Sequence, residues 1–173
     1  MIDMLITLAK LEALSEADFD NVAKLATTIW RAHYAKIISM AQIDYMLKAR
    51  YSPAALRIYL NSADRWFELL RVDKKLAGYC SYSRSSNLDE LKLEQLYLLD
   101  YLRGKGLGKT MLGHIEAAAR KKKSRVIILQ VNKQNSDSIA FYGKAGFRIR
   151  EEATFDIGNG YVMDDYIMEK QLN

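Results

Sequence analysis

The sequence predicts one α/β domain built on a mixed sheet, and three observations predict it. Stretches with helical spacing of apolar residues alternate with short strand-like runs along the chain. Tight turns at Asp73-Lys74-Lys75 and Gly158-Asn159-Gly160 each join two such runs, which marks antiparallel hairpins. Arg125 to Val131 is nearly all apolar around Val126-Ile127-Ile128-Leu129, as expected of a central strand covered on both faces. With 173 residues, 50% of them hydrophobic, the chain suits a single domain over residues 1–173 with a sizeable core. A chain of this size buries about 70% of its unfolded surface. One proline and nine glycines argue against disorder, and no internal repeat, linker or low-complexity segment is present.

The elements follow in order. Met4 to Leu11 reads as a first strand, with Leu5, Ile6 and Leu8 apolar. Ser15 is an N-cap ahead of acidic Glu16 and Asp18, and Phe19, Val22, Ala23, Ala26, Ile29 and Trp30 recur at helical spacing, so a helix is expected over 17–33. Gln42 to Lys48 is a shorter helix, and Ser52-Pro53 opens a third that ends near Asn61. The period then changes. Trp66 to Val72 and Leu76 to Tyr82 are strands about the first turn, and Leu91 to Leu98 follows a polar loop from Arg84 to Asp89. The helix after the next loop buries Leu107, Met111, Leu112, Ile115, Ala118 and Ala119 along one stripe. After the apolar strand, Ser136 or Asp137 caps a helix to Ala145, and Gly146 stops it. Phe147 to Glu151 and Tyr161 to Leu172 are the last strands.

The chemistry concentrates in the loop Arg103-Gly104-Lys105-Gly106-Leu107-Gly108-Lys109-Thr110, between a strand and a helix. Glycines at alternating positions leave backbone N–H groups uncovered at a helix N-terminus, where unpaired amides and the dipole favour a phosphate. Arg103, Lys105 and Lys109 add positive charge. The loop lacks the G-x-x-x-x-G-K-S/T spacing of a nucleotide P-loop, although Gly108-Lys109-Thr110 imitates its end, and it is not G-x-G-x-x-G. A glycine-rich strand-to-helix turn without a ligand stays open as the plain alternative.

Other classes are narrowed by composition. The net charge of +5 invites a nucleic-acid reading, yet the charges are scattered apart from Arg120-Lys121-Lys122-Lys123 and the glycine loop. No aromatic-basic strand or recognition helix accompanies them. The single cysteine, Cys80, excludes an internal disulfide and has no base among its neighbours, and no metal cluster is suggested. The N-terminus is neither a basic-apolar signal nor a bilayer span, so a cytoplasmic protein is expected.

Arg103, Gly106 and Gly108 match Arg/Gln-x-x-Gly-x-Gly/Ala, which resembles the acetyl-CoA signature of the GNAT acyltransferases. Downstream, Asn135 to Phe147 is similar to that family's N-x-x-S/A-x-x-F/L-Y-x-x-x-G-F block. The resemblance covers roughly Leu76 to Leu172, while the N-terminal third matches only in general pattern. It implies a mixed, mostly antiparallel sheet flanked by helices, in which the strand ending at Leu98 splays in a V from the strand ending at Asn132. Acetyl-CoA is the implied cofactor, with coenzyme A as product. Its pantetheine would bond backbone groups of Leu96, Tyr97 and Leu98, and amides from Arg103 to Thr110 would hold the pyrophosphate. Asn135 matches the position that bonds the pantetheine arm, and Lys144 is either a phosphate contact or a solvated helix lysine.

The resemblance also implies roles in acyl transfer. Tyr142 is the general acid, since a phenol of pKa about 10 keeps a proton for the leaving sulfur. A core tyrosine beside Phe141 is its alternative. Glu94 is the candidate base on an otherwise apolar strand, with a salt bridge to Arg125 or Lys92, or a contact to a cationic substrate, as the other readings. Trp30 and Tyr34 are candidates for the acceptor wall, and His33 reads as a surface or satisfied residue. Asp164 and Asp165 open an ending similar to that of bacterial polyamine acetyltransferases, where such carboxylates would attract a polycation and Asp165 is the substrate-binding candidate, although acidic residues there are often only solvated. The implied acceptor is a small-molecule or peptide amine, including a polyamine, attacked directly in a ternary complex. No membrane or nucleic-acid partner is expected, and a homodimer stays open. The competing classes are a non-catalytic acyl-CoA sensor and a nucleic-acid-binding regulator.

Overall fold

The computed structural model describes residues 8–173, and the expected start of the first strand at Met4 falls outside them. Seven strands form a sheet in the order β1-β2-β3-β4-β5-β7-β6. The strands are β1 (Ala9–Ala13), β2 (Arg65–Val72), β3 (Lys75–Arg84), β4 (Glu90–Leu98), β5 (Val126–Asn132), β6 (Arg148–Gly158) and β7 (Tyr161–Gln171). The helices are α1 (Phe19–Tyr34), α2 (Met40–Tyr51), α3 (Pro53–Arg57), α4 (Leu107–Lys121) and α5 (Ser136–Lys144). The β4–β5 pair is parallel, whereas β1–β2, β5–β7 and β6–β7 are antiparallel. Among the described residues no helix is long and apolar enough to cross a membrane.

The chain divides into two compact units, the first running to Tyr82 and including Gln95–Gly113, the second holding Ser83–Glu94 and His114–Asn173. In the first, β1 pairs with β2 from Ala9↔Val72 to Ala13↔Glu68. The β2–β3 turn places Asp73 and Lys74 both at positive φ (48° and 64°), the mirror-type turn whose twist suits a hairpin. Ser15 begins a short 3-10 turn over Glu16–Asp18, its N–H donating to the Asp18 carboxylate at 3.1 Å. That turn is tighter than the α-helix expected from residue 17, and α1 proper starts at Phe19. One stripe of α1 buries Phe19, Val22, Leu25, Ala26, Ile29 and Trp30. Burying such large apolar side chains stabilises by about 1.5–3 kcal/mol each. The second helix is longer than expected at both ends, because Ser39 caps it by accepting from Gln42 N–H (3.2 Å) and Tyr51 packs into the core at its far end. The third is shorter, a single turn from Pro53 to Arg57.

Gly78 marks the tightest approach in this unit. A Cβ there would stand 2.4 Å from the Tyr97 carbonyl oxygen and 2.9 Å from Leu98 Cδ2. Glycine is required so that β3 can lie against the end of β4, where Leu99 N–H donates to Ala77 O (3.0 Å).

In the second unit, the parallel ladder runs from Glu90↔Val126 to Leu93↔Leu129, and β5 continues beyond it to Asn132. Only alternate residues of β5 are fully buried (Ile127, Leu129 and Val131), so its apolar run is less uniformly covered than its composition predicts. β6 extends seven residues past the expected Glu151, pairing with β7 across the turn at Asn159 and Gly160, both at positive φ. Ala153, Phe155 and Ile157 alternate with exposed Glu152, Thr154 and Asp156 along it, a strand period in a polar run. Cations of β6 pair with buried carboxylates: Arg150 with Glu90 (2.8 Å) and Arg148 with Glu169 (2.6 Å).

Candidate functional site

The glycine loop lies wholly in the first unit. After β4, a 3-10 turn over Asp100–Leu102 buries Leu102 and leaves Tyr101 exposed. Gly104 and Gly106 take φ of 73° and 82°, left-handed backbone that L side chains rarely adopt. At Gly104 a Cβ would meet nothing within 4 Å, so the loop faces open space there. Leu107 is fully buried and fixes the first turn of α4. Arg103 N–H is bonded to Asp100 O (3.0 Å), and both the N–H and the hydroxyl of Thr110 donate to Gly106 O (3.0 and 3.2 Å). The amides of Gly104, Lys105, Gly106, Leu107, Gly108 and Lys109 lie between these engaged positions and ahead of the helical ladder. Within the stretch from Arg103 to Thr110, the amides at its two ends are thus engaged by the protein's own carbonyls.

The same unit also carries a polar-aromatic network that sequence reasoning missed. Trp30 Nε1 donates to Tyr79 Oη (3.2 Å), Tyr51 Oη lies 2.7 Å from Tyr79 Oη and also bonds Gln95 Oε1, and Gln95 Nε2 donates to Ser81 Oγ (2.9 Å). Tyr34 and Tyr97 share a hydroxyl contact of 2.9 Å, and the Trp30 ring packs against both. Burial pushes the Tyr51, Tyr79 and Tyr97 phenols well above their ordinary range. Trp30 is only 1% exposed, so of the two expected acceptor-wall residues Tyr34, half-buried, is the one that presents surface. The available signal was Gln95, an amide inside an apolar strand, where burial demands hydrogen-bond partners.

The remaining predicted residues belong to the second unit. Ser83 Oγ donates to Glu94 Oε1 at 2.9 Å, fixing one carboxylate oxygen of a half-buried side chain. Asn135, rather than Ser136 or Asp137, caps α5: its Oδ1 accepts from Ser138 N–H (3.3 Å), and its side chain is buried. Tyr142 is buried in edge-on contact with Phe141 (5.2 Å) and Phe147 (5.4 Å). Lys144 is exposed in the last turn of α5. Asp164 is bonded by Lys133 Nζ (2.7 Å), which also holds Glu152. Asp165 is buried opposite Asn132 in the β5–β7 ladder. Cys80 is buried, and its thiol is pushed up by burial.

Known proteins resemble this chain along most of its length. A spermidine N(1)-acetyltransferase of Thermoplasma acidophilum is 28% identical over 166 residues, covering 94% of this chain and 96% of the relative. An uncharacterized N-acetyltransferase of Mycobacterium tuberculosis is 28% identical over 155 residues, 90% of this chain and 98% of its own length. The crystal structure of the PaiA N-acetyltransferase from T. acidophilum in complex with coenzyme A superposes with a TM-score of 0.79 at 28% identity, covering 94% and 98% of the two chains. A GCN5-related N-acetyltransferase of Rhodopseudomonas palustris shares the fold, with a TM-score of 0.77 at 18% identity and 94% and 95% covered. The family profile described as "Acetyltransferase (GNAT) family" matches residues 26–147. The chain belongs to the GNAT acetyltransferase family.

Proposed function

We propose that the protein is a single-domain N-acetyltransferase that moves the acetyl group of acetyl-CoA to a primary amine by direct attack within a ternary complex. The observation that carries this reading is the turn with Gly104 and Gly106 at positive φ immediately ahead of α4. Such a turn aims consecutive amides and a helix N-terminus at one point, which fits a diphosphate. The side chains of Lys105 and Lys109 add charge around it. Backbone groups of Leu96, Tyr97 and Leu98, beyond the end of the parallel ladder, hold the pantetheine as an added strand would. Asn135 uses Oδ1 as the helix cap, so Nδ2 is the group left to donate to the same arm.

Acetyl-CoA supplies the thioester carbonyl that an amine attacks, with the thiolate as leaving group. In this reading the Tyr142 hydroxyl holds the proton that the departing sulfur takes. The Glu94 carboxylate, steadied by Ser83, accepts the amine's proton through water. The acceptor is a small amine, a polyamine or a peptide amine. The printed activity of the Thermoplasma relative supports a polyamine, whereas the engagement of Asp164 by Lys133 reduces the acidic charge left to attract one. Incubating the protein with acetyl-CoA and a panel of primary amines, with free thiol as the readout, tests the reading. Amine-dependent release of coenzyme A is expected. Binding of acetyl-CoA with no release for any amine would contradict it and favour a sensory ligand.

A further inference from the structure

We propose that Arg50 is the anion-recognition residue of the acceptor site, selecting primary amines that also carry a carboxylate. The proposal rests on the acetyltransferase reading and narrows its acceptor. Arg50 lies in the last turn of α2; the residue keeps exposed surface, while its guanidinium, with its carbon 5.9 Å from the centre of the Trp30 ring, is crowded by protein and partly desolvated. The phenols of Tyr97, Tyr51, Tyr34 and Tyr59 lie within electrostatic reach around it.

Its isolation from carboxylates distinguishes it. In the first unit Arg31 pairs with Asp44, Arg57 with Glu16, Arg65 with Asp64, Arg71 with Glu12 and Asp18, and Arg103 with Asp100. Arg50 is the arginine of that unit with no carboxylate at ion-pair distance among the described residues. Of the surrounding phenols, Tyr51 and Tyr97 do not serve as counter-ions, because burial keeps them protonated. Among the described residues no carboxylate compensates the guanidinium charge.

Two consequences follow for a ligand. A guanidinium resting on an aromatic face is weakly hydrated, and its planar fork matches a carboxylate with two parallel hydrogen bonds. The cation position over Trp30 is already filled by the protein's own side chain, so that face is closed to a substrate ammonium. Tyr34, the acceptor-wall residue that presents surface, is one of the phenols around the same guanidinium. An amino acid or peptide, with an amine to acetylate and a carboxylate to anchor, fits this arrangement. A polyamine carries only charge of the sign that Arg50 repels.

The test uses amine pairs that differ only in a carboxylate or its amide, such as glycylglycine and glycylglycinamide. Calorimetric binding is read beside coenzyme A release, and acetyl-CoA affinity is measured separately. A charge-assisted contact predicts a preference of about 10- to 100-fold for the carboxylate partner, the range set by one such interaction. Arg50→Gln should erase that preference, and Arg50→Lys should restore part of it by keeping charge without the fork. An equal response to both partners, a preference unchanged in Arg50→Gln, or binding of spermidine but of no carboxylate-bearing amine would overturn the proposal. Each of those outcomes leaves acetyl-CoA binding intact, whereas loss of acetyl-CoA binding by the wild-type protein strikes the parent reading.

Discussion

The proposed chemistry asks one side chain, Tyr142, to meet two demands. Its ring is packed edge-on between Phe141 and Phe147, as a core tyrosine would be, and the proposed reading gives its hydroxyl the proton that the leaving sulfur takes. Tyr142→Phe keeps the ring contacts and removes only the oxygen. Turnover should fall by roughly 100-fold or more, the scale of a lost general acid, while the KD for acetyl-CoA barely changes. Steady-state kinetics with calorimetry checks this, and a fully active Phe variant would return Tyr142 to the core. Such residues can be proposed from sequence because motif identity and spacing single them out. Arg50 and Gln95 cannot, since their meaning depends on which rings and hydroxyls surround them after folding.

Among the elements, α5 shows where reading by pattern stops. Its span was readable from the helical block and from Gly146, yet three consecutive cap-competent residues, Asn135, Ser136 and Asp137, leave the cap to tertiary geometry. The structure selects Asn135, buried with its Oδ1 on the Ser138 amide. This separates two functions by substitution. Asn135→Ala should cost about 1 kcal/mol of stability from the lost cap and also weaken acetyl-CoA binding. Asn135→Ser keeps a capping oxygen but has no amide donor, so it should restore the thermal midpoint and leave cofactor affinity low. Equal recovery of both in the serine variant would refute the donor role of Nδ2. β6 escaped for a different reason: its alternation is carried by Ala153, Phe155 and Ile157 among charged neighbours, too weak a contrast to read without the hairpin partner.

At the scale of the whole molecule, the mixed sheet and the adjacency of the strands ending at Leu98 and Asn132 were implied by family resemblance, and the full strand order was not read at all, because strand spacing says nothing about which strands become neighbours. The titration of the chain as a whole reports on its core. Of its 11 tyrosines, burial raises Tyr51, Tyr79 and Tyr97 well above, and Tyr82 above, the ordinary value. In the unfolded chain each ionises near a pKa of about 10. Above that pH the folded state holds more protons than the unfolded one, so their contribution to stability is complete below pH 10 and falls as pH rises. Phenolate absorbance should therefore show a late set of tyrosines that ionise only as ellipticity is lost. One reversible wave with the fold intact would contradict the packing described.

The reading of the molecule as an acetyltransferase turns on main-chain amides gripping a diphosphate ahead of α4. Isothermal titration of acetyl-CoA into wild-type protein and into Gly106→Glu, with circular dichroism confirming the fold, measures this directly. The substitution brings a side chain and a negative charge into a turn whose φ is 82°, and it should abolish binding that the wild type shows. A folded Gly106→Glu protein with unchanged affinity would place the cofactor elsewhere and contradict the account.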